Sequence, residues 1–144
     1  MSYLKKQWPI LVVLLVITPL GLATKCYSGA GQQWVHDYAG DILYTMFWYF
    51  LCILMFPQTR PAFMSLLVFF FSVFVELSQL SDATQLLWLR QFFVGRTLVG
   101  VSFSFTDIGY YYLGSQLALF LHLGLHLFFF PAAAAKPKGH HHSL

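Results

Sequence analysis

Charged residues are scarce in this chain. They make up 9% of its 144 residues, whereas 58% are hydrophobic; a soluble domain carries about 25% charged and 45–50% apolar residues. A soluble domain of this length would expose more surface than so few charges cover. Long apolar runs recur, each close to the roughly 20 residues that cross a bilayer. The composition therefore predicts an integral membrane protein and, at this length, a single domain.

Cysteine is rare as well, and familiar catalytic motifs are absent. Cys26 follows the first apolar run and Cys52 lies within the second, an arrangement that argues against a disulfide framework. The sequence contains no Gly-x-Ser-x-Gly, His-Glu-x-x-His or phosphate-binding loop. Despite a net charge of +3, the basic residues flank apolar runs and form no stripe, which argues against nucleic acid as a partner. We predict no cofactor, and no catalytic motif identifies an enzyme.

Four apolar segments predict an all-α, integral membrane helical bundle. Their approximate limits are Trp8 to Ala23, Ala39 to Phe56, Ala62 to Leu80 and Asp107 to Phe130. Pro9 suits a helix start, and Pro19 should kink the first helix or end its regular hydrogen bonding. Glycines and polar residues between Cys26 and Asp41 predict a loop. The first segment also resembles a secretory signal peptide, but three further apolar segments favour an uncleaved transmembrane helix.

The stretch from Gln85 to Phe105 is interrupted by arginines and glycines and is not a clear span. We predict an interfacial or re-entrant segment, which membranes tolerate only where protein shields its backbone. The alternative is a fifth short helix from Phe92 to Phe105. With either alternative, we predict that residues 1–130 are a single transmembrane domain and that residues 131–144 form a flexible tail.

Four helices place both termini on one side of the membrane. If that side is cytoplasmic, the basic residues inside are Lys5, Lys6, Arg60, Lys136 and Lys138, and those outside are Lys25, Arg90 and Arg96. This excess follows the positive-inside rule. We therefore predict a cytoplasmic N-terminus.

All five acidic residues fall at or near the outer end in this topology. They are Asp37, Asp41, Glu76, Asp82 and Asp107. Glu76 lies inside the apolar run "LLVFFFSVFVELSQLSD" and shares a helical face with Ser65, Ser72 and Gln79. A charge that faces lipid costs at least about 2.5–3.5 kcal/mol at the bilayer centre. This face should therefore turn toward the interior of the bundle.

Polar faces on three helices predict an outward-facing polar pocket. The faces on the second and fourth helices comprise Asp41, Thr45, Trp48 and Cys52, and Asp107, Tyr111, Ser115, His122 and His126. The candidate ligand-binding residues are Asp41, Glu76, Gln79, Arg90, Arg96 and Asp107. The alternative is a network of ion pairs and hydrogen bonds that only holds the helices together. Asp41 and Asp107 also have a structural role open to them, because acids at helix starts complement the helix dipole.

His122 and His126 lie one turn apart on the fourth predicted helix, a spacing that suits a metal or haem. No third ligand is evident at a similar depth, so no metal site is predicted. Packing histidines are the favoured interpretation. A proton relay from Asp107 toward His122 is the weaker alternative.

Four stretches carry a family resemblance: "GDILYTMFWYFLCILMFP", "VELSQL", "GRTLVG" and "DIGYYYLG". In this order they resemble a family of small bacterial membrane proteins, domain of unknown function 2809, and more distantly the VanZ-like family. The wider group shows a Glu-x-x-Gln, then an Arg, then an Asp that opens the next helix near a Gly. The matching positions are Glu76 and Gln79, then Arg96 with Arg90 as its rival, then Asp107 and Gly114. The resemblance implies a bacterial inner (plasma) membrane, a cell-envelope setting and a shared site, but no activity.

Several function classes stay open, all with membrane lipids as neighbours. The first is a binding or transport-type protein whose pocket engages an envelope lipid head group or wall-precursor-like ligand, with arginines on phosphate and carboxylates on hydroxyls or amines. The second is a membrane enzyme acting on such a phosphate-containing substrate, with Glu76 or Asp107 as acid or base. The third is a small structural subunit of a larger membrane complex. No oligomeric partner is identified by the sequence.

Overall fold

The computed structural model describes residues 2–78, 91–92 and 104–130, with side chains from residue 7 onward. Its helices are α1 (Ser2–Cys26), α2 (Gln32–Met55), α3 (Pro61–Ser78) and α4 (Phe105–Phe129). Each contains a stretch that is long and apolar enough to cross a membrane, and no strand occurs among the described residues. The predicted all-α bundle with four transmembrane helices is therefore confirmed.

The predicted segment between α3 and α4 lies almost entirely outside the described residues. Of the stretch from Gln85 to Phe103, only a turn at Gln91 and a bend at Phe92 are described. The alternative fifth helix, from Phe92 to Phe105, and the predicted tail at 131–144 also fall there. The interfacial or re-entrant segment, the fifth helix and the tail all stay predictions.

The second helix begins earlier than the sequence predicts, at Gln32 instead of Ala39. Gly31 before it has a φ of 71°, a left-handed conformation that glycine adopts readily. The following turn is π-helical over Val35–Ala39, and an α-helix then continues to Met55. The loop predicted between Cys26 and Asp41 is therefore too long. Its polar residues from Gln32 onward form the beginning of the helix, before the apolar part.

Pro19 does not end α1, which continues to Cys26. A proline removes one backbone donor, and membrane helices tolerate this where other groups satisfy the backbone. The first helix is therefore longer at its exit than predicted.

Helix α2 lies at the centre of the bundle. It packs against α1, α3 and α4, and α3 also packs against α4. The buried apolar core comprises Ile10, Ile17, Tyr49, Phe50, Ile53, Met64, Val68 and Ala118. Many large apolar side chains point outward instead, among them Leu15 and Phe128, which are 76% and 78% exposed. Such a surface is a liability in water and is the surface that lipid requires.

Helices α2 and α4 approach each other closely at Gly114. A Cβ atom at this position would lie 2.8 Å from the Ile42 carbonyl oxygen and 3.0 Å from Thr45 Cβ. Ser115 and Ala118, which follow on the same side of α4, are fully buried. Small residues of this kind let membrane helices bring their backbones together. The close contact holds α2 and α4 side by side at this level.

The polar face predicted for α3 is confirmed where it is described. Ser65, Ser72 and Glu76 are each 1% exposed, and Gln79 lies outside the described residues. The Ser65 hydroxyl donates to the Ser115 carbonyl at 3.1 Å, which ties α3 to α4. The face turns inward because the bundle offers polar partners that lipid lacks.

The polar face predicted for α2 is only partly correct. Thr45 is fully buried, whereas Asp41, Trp48 and Cys52 are half-buried. Further along α2 the buried side chains are apolar or aromatic, beginning with Tyr49. Because three helices surround α2, burial is distributed around it and does not follow one stripe.

Candidate functional site

The antiparallel order of the four helices gathers the described acids at one end of the bundle. The last turns of α1 and α3, the part of α2 up to Asp41 and the first turn of α4 form this end, which we call the acidic end. Asp41 lies in the first α-helical turn after Gly40, and Asp107 lies in the first turn of α4. Glu76 is in the last turn of α3. Three acids that are far apart in sequence therefore converge, as predicted from the helix phases.

Glu76 is buried and hydrogen-bonded. Its Oε1 accepts a bond from the backbone N–H of Ser104 at 2.9 Å, and its Oε2 accepts one from the Tyr111 hydroxyl at 2.8 Å. Both donors belong to the start of α4, so the carboxylate joins the end of α3 to α4. A buried carboxylate needs such donors, because taking it from water without them costs several kcal/mol. Glu76 thus has a clear structural role.

Asp41 is in a different position from Glu76. Its Oδ2 atom is buried and has no hydrogen-bond partner among the described residues. Its electrostatic neighbours are Asp107, Lys25, Glu76 and Asp37, so three of the four repel a negative charge. Buried polar atoms in folded proteins are nearly always hydrogen-bonded. Asp41 therefore has a carboxyl oxygen, Oδ2, that receives no hydrogen bond from the described residues.

Lys25 supplies a positive charge at the acidic end. Its ammonium group donates to the carbonyl of His36 at 2.7 Å, and its Nζ would lie 3.3 Å from a Cβ atom at Gly40. The lysine therefore links the end of α1 to the start of α2. It also partly offsets the negative charge of Asp41 and Asp107.

Aromatic rings border the acidic end. The rings of Tyr38 and Tyr110 stack at 4.4 Å between centroids, and Trp34 Nε1 donates to the Tyr110 hydroxyl at 3.3 Å. Tryptophan and tyrosine favour the membrane–water interface, where an apolar ring can keep a polar atom in contact with water. Such a cluster is typical of the end of a helical bundle that lies at a membrane surface.

The structure brings together half of the predicted ligand-binding residues. Asp41, Glu76 and Asp107 meet at the acidic end, whereas Gln79, Arg90 and Arg96 lie outside the described residues. The Ser104 backbone donor to Glu76 was missed, because a main-chain N–H carries no sequence signal. Tyr111 was placed on the right face of α4, but its pairing with Glu76 requires the packing of two helices.

The opposite end of the bundle carries His122 and His126, and we call it the histidine end. The His122 Nδ1 atom lies 2.9 Å from the Tyr49 hydroxyl, and the Tyr49 ring is fully buried. His126 is exposed and contacts the Phe130 ring at 5.7 Å between centroids. Among the described residues, no three His, Cys, Asp or Glu side chains form a group that could hold a metal ion.

Residues 30–115 match the model of a family described as "Protein of unknown function (DUF2809)". The match covers more than half of the 144 residues. The chain belongs to this family. No solved structure matches it. The matched region of this DUF2809 protein contains Asp41, Glu76, Asp107 and the Gly114 contact. His122 and His126 lie beyond it.

Proposed function

We propose that this DUF2809 protein binds the polar head group of an envelope lipid, or of a wall-precursor-like lipid, at its acidic end. In this proposal Asp41 and Asp107 receive hydroxyl or amine donors of the head group. Arg90 and Arg96, together with Gln79, contact its phosphate, since arginine forks suit phosphate oxygens. The tails of the ligand stay in the bilayer beside the bundle.

The observation that carries the proposal is the unused acceptor of Asp41. A carboxylate oxygen that is buried without a donor is a cost to the folded protein. Local violations of this kind are expected at functional sites, where an external ligand completes the arrangement. An amine or hydroxyl of a lipid head group would supply the donor, and an amine would also relieve the repulsion among Asp41, Asp107 and Glu76.

Glu76 has a supporting role in this proposal. Both of its carboxylate oxygens already accept bonds from the start of α4, and this connection sets the position of the first turn of α4. Asp107 lies in that turn. Glu76 is therefore a positioning residue, and the interpretation that the cluster holds helices together applies to it more than to Asp41.

The replacement Asp41→Asn is expected to weaken ligand binding without lowering stability. It removes an ionisable carboxyl from a group of acids that disfavour one another's charge, and it breaks no hydrogen bond that Oδ2 makes among the described residues. The purified protein in detergent would be titrated with phosphatidylethanolamine, phosphatidylglycerol and a polyprenyl phosphate, with native mass spectrometry as the measurement. We expect at least one of them to bind saturably, and Asp41→Asn to weaken that binding about tenfold or more. The unfolding temperature without added lipid should stay equal or rise.

Asp37→Asn is the matched control, because Asp37 carries the same charge at the same end but is exposed. It should change neither binding nor stability. The proposal is wrong if none of the three lipids binds saturably, or if Asp37→Asn weakens binding as much as Asp41→Asn. A fall in unfolding temperature for Asp41→Asn would instead assign the acid to the network that holds the helices.

We also propose an inner-membrane location with the N-terminus in the cytoplasm, which places the acidic end outside. The distribution of basic residues supports this orientation. Alkaline phosphatase, which is active only outside the cytoplasm, should be active when inserted in the exposed turn at Ser28 and inactive when fused after Leu144. Activity at both sites would contradict the four-helix topology, and inactivity of the Ser28 insertion would contradict the orientation.

A further inference from the structure

The histidine end contains a cleft of about 280 Å³ between the start of α1, the end of α2 and the end of α4. Its polar wall consists of Gln7, His122 and His126 together with Gln58 from the turn after α2. Ile10 and Ile53 form part of its apolar wall. The volume is near the lower limit of about 300 Å³ for ligand pockets, which suits a single ring or a small head group rather than a whole lipid.

Gln7 lines this cleft and carries an amide oxygen without a described partner. The side chain is 5% exposed, and its Oε1 atom is buried without a hydrogen-bond partner among the described residues. A buried amide oxygen without a donor is a cost to the folded protein. A ligand that brings a donor into the cleft would remove this cost.

The two histidines supply the complementary groups. Because one nitrogen of His122 is engaged with Tyr49, its tautomer is tied to that contact and its other nitrogen is left for a different partner. His126 lies one turn further along the same face and lines the cleft as well. No Asp, Glu, Lys or Arg lines the cleft among the described residues. The cleft therefore matches an uncharged ligand with oxygen atoms, at least one of which carries a hydrogen.

From these features we propose that the cleft is a second ligand site, which binds the hydroxyl-bearing head of an uncharged, membrane-soluble molecule. One hydroxyl donates to Gln7 Oε1, and His122 and His126 contact its other oxygen atoms. The apolar wall takes the carbon skeleton, and the tail leaves the cleft into lipid along the exposed end of α4, where Leu127 and Phe128 face outward. This site is separate from the acidic end and does not rest on the function proposed for it.

Two membrane molecules offer this chemistry, a glyceride with a free hydroxyl and a quinol with phenolic hydroxyls. The full-length protein in detergent would be titrated with dioctanoylglycerol and, under anaerobic conditions, with a short-chain naphthoquinol. The oxidised naphthoquinone has the same ring but no hydroxyl donor, so it serves as the matched ligand control. We expect saturable binding of one of the two hydroxyl probes, which shows whether the ligand is a glyceride or a quinol. If the naphthoquinol binds, the naphthoquinone should bind at least fivefold more weakly.

Gln7→Met and His126→Phe test the residues directly. Each is expected to weaken binding of the probe about fivefold to tenfold, and Gln7→Met should leave the unfolding temperature equal or raise it, because Oε1 makes no described bond. Asp41→Asn, at the opposite end, should not alter this binding. If Gln7→Met fails to fold, His126→Phe still decides, because His126 is exposed.

Three results would overturn this proposal. The first is that neither hydroxyl probe binds saturably. The second is that binding is unchanged in Gln7→Met and His126→Phe, and the third is that naphthoquinone binds as tightly as naphthoquinol. Loss of lipid binding in Asp41→Asn with intact probe binding here would show that the two sites are independent.

Discussion

Replacing Gly114 by alanine is expected to lower the free energy of unfolding by about 1–3 kcal/mol, the usual cost of overpacking a close contact. The added Cβ would lie 2.8 Å from the Ile42 carbonyl oxygen and 3.1 Å from Ile42 Cα. These are backbone atoms, so no side-chain rotation can relieve the clash, and α2 and α4 have to move apart. Thermal unfolding of the purified protein in detergent measures the loss.

Two other glycines of α4 are matched controls. Alanine at Gly109 or Gly124 would meet no atom within 4 Å, and alanine favours a helix over glycine by about 1 kcal/mol. These variants should therefore be as stable as the wild type or more stable. A neutral or stabilising effect of Gly114→Ala would contradict the close approach of α2 and α4 at this position.

The Gly114 contact has a consequence for the acidic end. The new Cβ would lie 3.0 Å from Thr45 Cβ. Thr45 lies one turn after Asp41 on α2, and its hydroxyl donates to the Asp41 carbonyl at 2.9 Å. Separation of α2 from α4 at this level would move Asp41 away from Asp107. We therefore expect Gly114→Ala to weaken lipid binding as well as stability.

The second large effect is expected at Glu76. The variant Glu76→Leu leaves the Ser104 N–H and the Tyr111 hydroxyl without this acceptor, and each buried donor without a partner costs about 1–3 kcal/mol. The expected loss in the free energy of unfolding is therefore about 2–6 kcal/mol. Unfolding in detergent is again the measurement, together with the amount of protein recovered from membranes.

Glu76→Gln should lose less than Glu76→Leu. Its amide oxygen can still accept from Ser104, and its NH₂ group can donate to the Tyr111 hydroxyl if that hydroxyl turns. In a double-mutant cycle, Glu76→Leu combined with Tyr111→Phe should lose less than the sum of the two single variants, because they share a partner. Phe74→Leu, at an exposed position of the same helix, is the control and should be nearly neutral. Additivity of Glu76→Leu and Tyr111→Phe would show that this hydrogen bond contributes nothing.

Helix positions could be predicted well where the bilayer determines them. The sequence predicts the last helix from Asp107 to Phe130, and the structure has Phe105–Phe129, because an apolar run of this length has one stable conformation in lipid. The start of α2 was predicted poorly because it lies where the bilayer does not determine the structure. Outside the apolar span the bilayer sets no limit, and the polar residues after Gly31 continue the helix into the interface.

The partners of the acids could not be predicted from the sequence. The helix phase correctly turned Glu76 inward, but the donors that it receives come from Ser104 and Tyr111, which are 28 and 35 residues away. Asp41 and Glu76 look equivalent in sequence as acids near helix ends. Only the packed bundle separates them into a carboxylate with two described donors and one with an unused oxygen.

Sequence alone is sufficient to predict a bundle of four membrane helices with the described acids at one end. Apolar length and the positions of charges are sufficient for this, since lipid excludes charge and requires every backbone group to be bonded within a helix. The tertiary structure decided which polar atoms are satisfied. Hydrogen bonds act over about 3 Å, so the outcome at Glu76, Asp41 and Gln7 depends on how closely the helices pack, and Gly114 sets that distance for α2 and α4.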